Sequence, residues 1–305
     1  MNGALIVIAG PTASGKTRLG VALAHRLGSE IVSADSRQVY RGLDLGTGKD
    51  LAEYTATDPP IPHHLIDVAE PEEIFTLFHY QRAVYDILSE RPAEAPPLIM
   101  VGGTGLYIEA VLKGYRIANV PENPTLRAAL MPKDPRQLVT QLQREDPDLY
   151  SRTDCSSHKR VVRALEIVAY GREHELHTSE PPATPLRPLI FCVRIERSKL
   201  HERIRQRLDQ RLGAGMVQEV EGLLARGLSH ERLAMLGMEY REIASYLAGA
   251  KSYDDMRDTL EREIRRLAKR QDTWFRGLER RGLKTHWIAG DDLETILREL
   301  QGWSR

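Results

Sequence analysis

Eight consecutive residues, Gly10-Pro11-Thr12-Ala13-Ser14-Gly15-Lys16-Thr17, carry the densest chemical signal in the chain. The spacing G-x-x-x-x-G-K-T belongs to loops that cradle a phosphate chain, and its flanks are complete. An apolar run from Ala4 to Ala9 precedes it, and a helical pattern with Leu19, Leu23, Ala24 and Leu27 follows. Glycine opens backbone angles closed to other residues, so amide N–H groups can converge on phosphate oxygens. A helix starting near Gly15 adds the positive end of its dipole. Lys16 is placed to reach a terminal phosphate, and the Thr17 hydroxyl suits Mg²⁺. The loop specifies a phosphate chain; it does not by itself specify a nucleotide such as ATP.

Other residues of chemical interest sit at comparable places. Glu30-Ile31-Val32-Ser33-Ala34 reads as a strand ending in Asp35-Ser36-Arg37-Gln38. An acid at the carboxyl end of a parallel strand lies on the ligand side of an open α/β sheet. Pro97 to Val101 is a second apolar run, and Gly102-Gly103 after it brings backbone and Thr104 close to a ligand. Arg203 and Arg207 stand one turn apart on a charged helix, or pair of helices, over 197–227. Gly46-Thr47-Gly48-Lys49 reads as a plain turn. His63 and His64 are neighbours on a strand, point to opposite faces and cannot share one ion. Cys155 and Cys192 have neither disulfide nor zinc spacing.

These residues need elements to position them. The alternation of apolar strand, turn and helix predicts an α/β fold: a P-loop NTPase-like parallel sheet with helices on both faces. A short helix is expected over Val39–Asp44, and another over 73–91. From about Tyr115 the pattern changes. Prolines cluster at 121–147 and again at 181–188, and helical patterns at 136–145 and 158–171 lie between them. We therefore expect a core of residues 1–115 and 189–305 with an inserted all-helical domain at 116–188. Leu189 to Ile195 resumes the strand pattern. The remainder is expected to be mostly helical, including an amphipathic helix over 257–280 and a last helix at 292–300.

The 305 residues suffice for a large core with a second unit, and 41% hydrophobic with 28% charged residues is ordinary for a globular chain. No apolar run approaches the ~20 residues of a membrane helix, and the N-terminus lacks a signal-peptide pattern, so a cytoplasmic, non-membrane protein is expected. Net charge is zero but unevenly spread. Residues 1–100 hold 8 Lys/Arg against 13 Asp/Glu, while 257–286 hold 10 against 5. A basic segment on a neutral protein points to a polyanionic partner or to a solvated helix face.

Four stretches taken together resemble the tRNA dimethylallyltransferases, bacterial enzymes that prenylate an adenosine beside the anticodon. They are Gly10–Thr17; Ser33–Tyr40 with Gly46-Thr47; Val101–Tyr107; and Lys269-Arg270-Gln271-Asp272-Thr273-Trp274-Phe275-Arg276. Lys159–Glu166 in the insertion is also similar. The order and spacing of these stretches cover nearly the whole chain. The resemblance implies that the loop 10–17 holds dimethylallyl diphosphate with Mg²⁺ on Thr17, and that Asp35 is the general base toward the adenine amine. It implies an anticodon stem-loop partner held by Asp35, Ser36, Arg37, Gln38, Lys159, Arg160, Arg163, Lys269, Arg270, Gln271, Trp274 and Arg276. Arg241 joins this set, in Gly237-Met238-Glu239-Tyr240-Arg241-Glu242, where the family usually has no residues between glycine and the aromatic. Gly48 stands where alanine is common.

The chemistry fits the residues independently. Allyl transfer to an amine needs a stabilised diphosphate, from loop amides, Lys16, Mg²⁺ and Arg203 or Arg207. It needs a proton acceptor, Asp35, and an orienting group such as Thr104. A monomer is expected. Three other functions remain open on the sequence: a small-molecule P-loop kinase, a non-catalytic tRNA-binding protein, and prenylation of free AMP or ATP.

Overall fold

Ala4-Leu5-Ile6-Val7-Ile8-Ala9 is buried along its whole length because it is an interior strand, with sheet on both sides and apolar clusters on both faces. A strand so placed has no solvent face, so its sequence is continuously apolar instead of alternating. The computed structural model describes residues 3–303. The chain runs β1 (Ala4–Ala9), α1 (Lys16–Leu27), β2 (Ile31–Ser33), α2 (Ala52–Thr55), β3 (His63–His64), α3 (Leu77–Glu90), β4 (Leu98–Gly102) and α4 (Gly105–Lys113). Four helices follow: α5 (Pro124–Leu130), α6 (Pro135–Glu145), α7 (Pro147–Arg152) and α8 (His158–Gly171). The sheet resumes with β5 (Arg187–Arg194). Helices α9 (Arg197–Gly213), α10 (Met216–Ala225), α11 (His230–Leu236), α12 (Met238–Leu247) and α13 (Tyr253–Arg276) come next, and β6 (Thr285–Ala289) and α14 (Leu293–Trp303) close the chain.

The six strands pair in the order β3-β2-β4-β1-β5-β6, all parallel. The register sets Ala9 beside Gly102 on one side and Cys192 on the other. The loops after β1, β2 and β4 therefore leave from the carboxyl ends of adjacent strands and meet at one edge. Leu5, Ile6 and Ile8 are fully buried, worth about 1.5–3 kcal/mol apiece.

The described residues form two compact units: one up to Gly114 and from Pro181 onward, the other Tyr115–Glu180. Residues 181–186 go with the sheet because they lead directly into β5, whose Arg187 amide donates to the Gly3 carbonyl at 2.8 Å. The smaller unit is helical around Leu130, Leu138, Leu142, Val161, Val162 and Leu165. Its two ends are tied by antiparallel contacts, with the Asn119 amide on the His177 carbonyl at 2.9 Å and the Ser179 amide on Ile117 at 3.0 Å. Inside it the buried Glu166 carboxylate accepts from Arg127 at 2.8 Å and from the Asn123 amide at 2.8 Å.

One expectation about an element is overturned, one gains a strand, and one is decided between its two alternatives. Val39–Asp44 is a series of turns, not a helix. The segment is held from inside by Lys49, which is 1% exposed and whose ammonium donates to the Tyr40 carbonyl at 2.8 Å and pairs with Asp44 and Asp67. The C-terminal part is not only helical, since Thr285–Ala289 forms the edge strand β6. Its His286 and Trp287 interrupt the apolar run that marked the other strands. Residues 197–227 are two helices, broken at Gly215, whose φ of +107° an L side chain rarely adopts.

Candidate functional site

The turn Gly10–Gly15 takes the chain from β1 into α1. Gly15 caps that helix with φ +90° and offers no side-chain cap, so the amides of the first turn keep no partner from the cap residue. An anion is the natural acceptor there. Within the turn the Pro11 carbonyl accepts from the Lys16 ammonium at 3.2 Å and from the Ser14 amide at 3.3 Å. The Ser14 hydroxyl is buried without a partner among the described residues. Ala13 packs into the apolar cluster beneath and Gly10 lies against Ser14 and Val193.

Lys16 and Thr17 open onto a cleft also lined by Asp35, Asp50, Arg207 and Arg211. Its walls also include Thr12, Arg37, Gln38, Tyr54, Glu239, Leu267 and Gln271. Asp35 follows β2 by two residues, and its carboxylate accepts the Arg37 amide at 3.0 Å, which fixes the turn while leaving the carboxylate on the cleft. Thr104 accepts the Ser36 amide at 3.0 Å and donates its own amide to the Ala34 carbonyl at 3.0 Å. Thr104 thus braces the Asp35 turn from the neighbouring strand end, and does not itself line the cleft.

The other expected residues divide. Gln271 accepts the Thr12 amide at 2.8 Å and donates to the Gly103 carbonyl at 3.0 Å, so it bolts the phosphate loop to the β4–α4 turn. Trp274 packs on Gly105, where a side chain would overlap its ring. Arg37 pairs with Glu239, and Gln38 accepts from the Ser33 hydroxyl at 3.0 Å and donates to the Gly48 carbonyl at 3.0 Å. Among the described residues Arg203 hydrogen-bonds only the Ser14 carbonyl, at 3.4 Å, and it does not line the cleft. Arg241 pairs with Glu242 at 2.9 Å and Glu263 at 2.5 Å, and Arg276 with Asp272 at 2.9 Å. Lys269 and Arg270 are exposed on α13, with no ion pair among the described residues. Arg37, Arg241, Arg266 and Arg270 line a second, open cleft of about 860 Å³, which shares Arg37 and Leu267 with the first. In the smaller unit Lys159 is exposed on α8, Arg160 pairs with Asp154 at 2.5 Å, and Arg163 donates to the Val120 carbonyl at 2.6 Å. His64 pairs with Glu30 at 2.7 Å, and the His63 ring lies tilted against Tyr54 with centroids 4.7 Å apart; no group of three metal-ligating side chains occurs among the described residues.

A family model described as IPP transferase matches residues 38–278. The chain belongs to the IPP transferase family. It is 47% identical over 298 residues to tRNA dimethylallyltransferase 1 of Syntrophus aciditrophicus, covering 98% of this chain and 97% of the relative. It is 46% identical over 299 residues to tRNA dimethylallyltransferase 1 of Porphyromonas gingivalis, covering 96% and 98%. Among solved structures it is similar to the tRNA isopentenylpyrophosphate transferase of Bacillus halodurans, with TM-score 0.71, 32% identity and coverage of 98% and 96%. A eukaryotic dimethylallyltransferase acting on tRNA shares the fold, with TM-score 0.73 and 23% identity. No helix among the described residues is long and apolar enough to cross a membrane.

In this IPP transferase the cleft's electrostatics follow from burial. Desolvation lowers Lys16 to about 8, with Arg207 and Arg211 pushing the same way and Asp35 and Asp50 opposing. Burial first, then Glu53, Asp50 and Asp35, push the Tyr54 phenol well above its ordinary value, so it stays a neutral donor. Arg211, Asp50, Tyr54 and Glu239 escape the sequence reading. Only Arg211 left a signal, the i, i+4 continuation of Arg203 and Arg207. A pH effect follows. A diphosphate bound at Lys16 would favour the charged ammonium, and such binding would take up a proton above pH 8. At fixed free Mg²⁺, the KM for the diphosphate substrate is expected to rise as pH passes through 8, by at most ~tenfold per unit. A flat profile from pH 7 to 9.5 would show that Lys16 does not meet the diphosphate.

Proposed function

We propose that the chain transfers a dimethylallyl group from dimethylallyl diphosphate to the N6 amine of the adenosine 3′-adjacent to the anticodon, position 37, in tRNA. The observation that carries this is one cleft lined together by a glycine-rich loop, a guanidinium and a carboxylate: Lys16 and Thr17, Arg207, and Asp35. The uncapped amides of α1 and Lys16 hold the diphosphate. As the C1–O bond breaks, its electron pair leaves on the diphosphate, whose growing charge Lys16 and Arg207 stabilise. A new bond joins C1 to N6, and the N6 proton goes to the Asp35 carboxylate. The Thr17 hydroxyl, beside Lys16 on the cleft, is a hard oxygen donor that fits Mg²⁺ shared with substrate phosphate. Bound there, Mg²⁺ would neutralise charge on the leaving group.

The second, arginine-lined cleft adjoins the first and suits an RNA backbone, with the target base splayed inward. Lys159 and Arg160 on the helical unit offer further phosphate contacts. Incubation with labelled dimethylallyl diphosphate and total tRNA, followed by nucleoside analysis, tests the reaction. Label in a modified adenosine is expected; ATP-dependent phosphorylation of a nucleoside without label transfer would replace prenyl transfer by kinase chemistry.

Lys269→Ala is expected to weaken tRNA binding and flatten the slope of log K against log salt by about 0.7, the single-strand value per phosphate, while sparing diphosphate binding. Lys269 is exposed, so its melting temperature should hold. An unchanged slope would make α13 scaffolding alone.

A further inference from the structure

Arg207 and Arg211 lie one turn apart on α9, and both line the cleft. Facing them is Asp50. Its carboxylate pairs with Arg207 through one oxygen and lies 3.6 Å from Arg211 through the other. That second distance is too long for a hydrogen bond. Arg211 has no other ion pair among the described residues, although its side chain is only 18% exposed. Two guanidiniums therefore share one carboxylate, and the inner one is incompletely satisfied.

The carboxylate is delivered by a braced loop. Glu219 on α10 accepts the Asp44, Leu45 and Gly46 amides at 2.9, 2.7 and 3.0 Å, and the Tyr240 hydroxyl at 2.8 Å. Buried Lys49 fixes the other flank. Arg211 lies directly over Gly48, where φ is +63° and a side chain would overlap the guanidinium. Asp50 itself adopts φ +50°, a backbone that aspartate tolerates better than most residues. Loop and guanidinium are thus built against each other beside Lys16.

We propose that Arg207 and Arg211 form a two-guanidinium clamp for the leaving diphosphate, with the Asp50 carboxylate as an internal anion that occupies the clamp between turnovers. This rests on the placement of diphosphate in the cleft proposed above. A diphosphate brings more charge and more acceptor oxygens than one carboxylate, so it displaces Asp50 on binding. After transfer, the tethered carboxylate competes with the released inorganic diphosphate and speeds its departure. Arg211 is a binding residue in this scheme, and Asp50 acts through the arginines as a positioning residue.

Calorimetric titration with inorganic pyrophosphate at fixed Mg²⁺, without tRNA, tests this on wild type, Arg211→Gln, Asp50→Asn and the double variant. Arg211→Gln is expected to weaken binding about tenfold, since it removes one charge-assisted contact at a partly screened site. Asp50→Asn is expected to tighten binding about tenfold and to make turnover more sensitive to pyrophosphate inhibition. The double variant should show less tightening than Asp50→Asn does alone. Should Asp50→Asn fold poorly, Asp50→Gly suits the left-handed backbone and carries the same expectation. Weaker binding by both Asp50 variants would overturn the proposal and make Asp50 a support for the site; unchanged binding in Arg211→Gln would remove Arg211 from the clamp. If wild type itself bound no pyrophosphate while Lys16→Ala behaved identically, the diphosphate placement would fall, and the clamp with it.

Discussion

Asp35→Asn is expected to bind tRNA and dimethylallyl diphosphate and to lose single-turnover transfer by ~10²–10⁴-fold, the usual contribution of a positioned general base. The native carboxylate accepts the Arg37 amide at 3.0 Å, and an asparagine oxygen can keep that bond. The turn between β2 and the cleft should therefore hold its shape. What asparagine cannot do is accept the N6 proton at neutral pH. Rates close to wild type would mean that Asp35 serves only to shape its turn, and that the proton leaves by another route. Melting temperatures of the two proteins should agree, because the cleft face of the carboxylate has no other hydrogen-bond partner among the described residues.

Lys16→Ala should raise the KM for dimethylallyl diphosphate and slow transfer by ~10²–10³-fold, in line with the loss of one preorganised group facing developing negative charge. tRNA affinity should stay near wild type, because the exposed cations Arg266 and Arg270 line the second cleft, which does not include Lys16, and Lys269 lines neither. The Lys16 ammonium also donates to Pro11, so some loosening of the loop accompanies the loss. Equilibrium binding of tRNA separates the two effects. A folded Lys16→Ala protein unable to hold tRNA would contradict the division between a diphosphate cleft and an RNA surface.

Sequence legibility followed the strength of local constraints. The strand–loop–helix at 4–27 was readable because each part has its own requirement: continuous apolar residues for a strand covered on both faces, glycine for φ +90°, and a 3.6-residue period for the helix. Asp35 was readable because strand ends face ligands in parallel sheets. The loop 44–50 was not. Its shape depends on Glu219, 169 to 175 positions away in sequence, and on a lysine turned inward against two aspartates. No periodicity announces such contacts. For the same reason Gln271 looked like a surface RNA contact, whereas its amide joins two loops of the site. Strand β6 escaped because at the edge of the sheet His286 and Trp287 are only half-buried, so the run need not be continuously apolar.

The most direct measurement is the position of the transferred group. Wild-type protein, Mg²⁺, labelled dimethylallyl diphosphate and a defined tRNA bearing adenosine next to its anticodon would be incubated, the RNA digested, and the labelled nucleotide located by mass spectrometry. The account predicts one label per tRNA, on N6 of the adenosine 3′-adjacent to the anticodon, and its loss in Asp35→Asn. Label on another nucleotide, transfer to free AMP or ATP in preference to tRNA, or undiminished transfer by Asp35→Asn would contradict it.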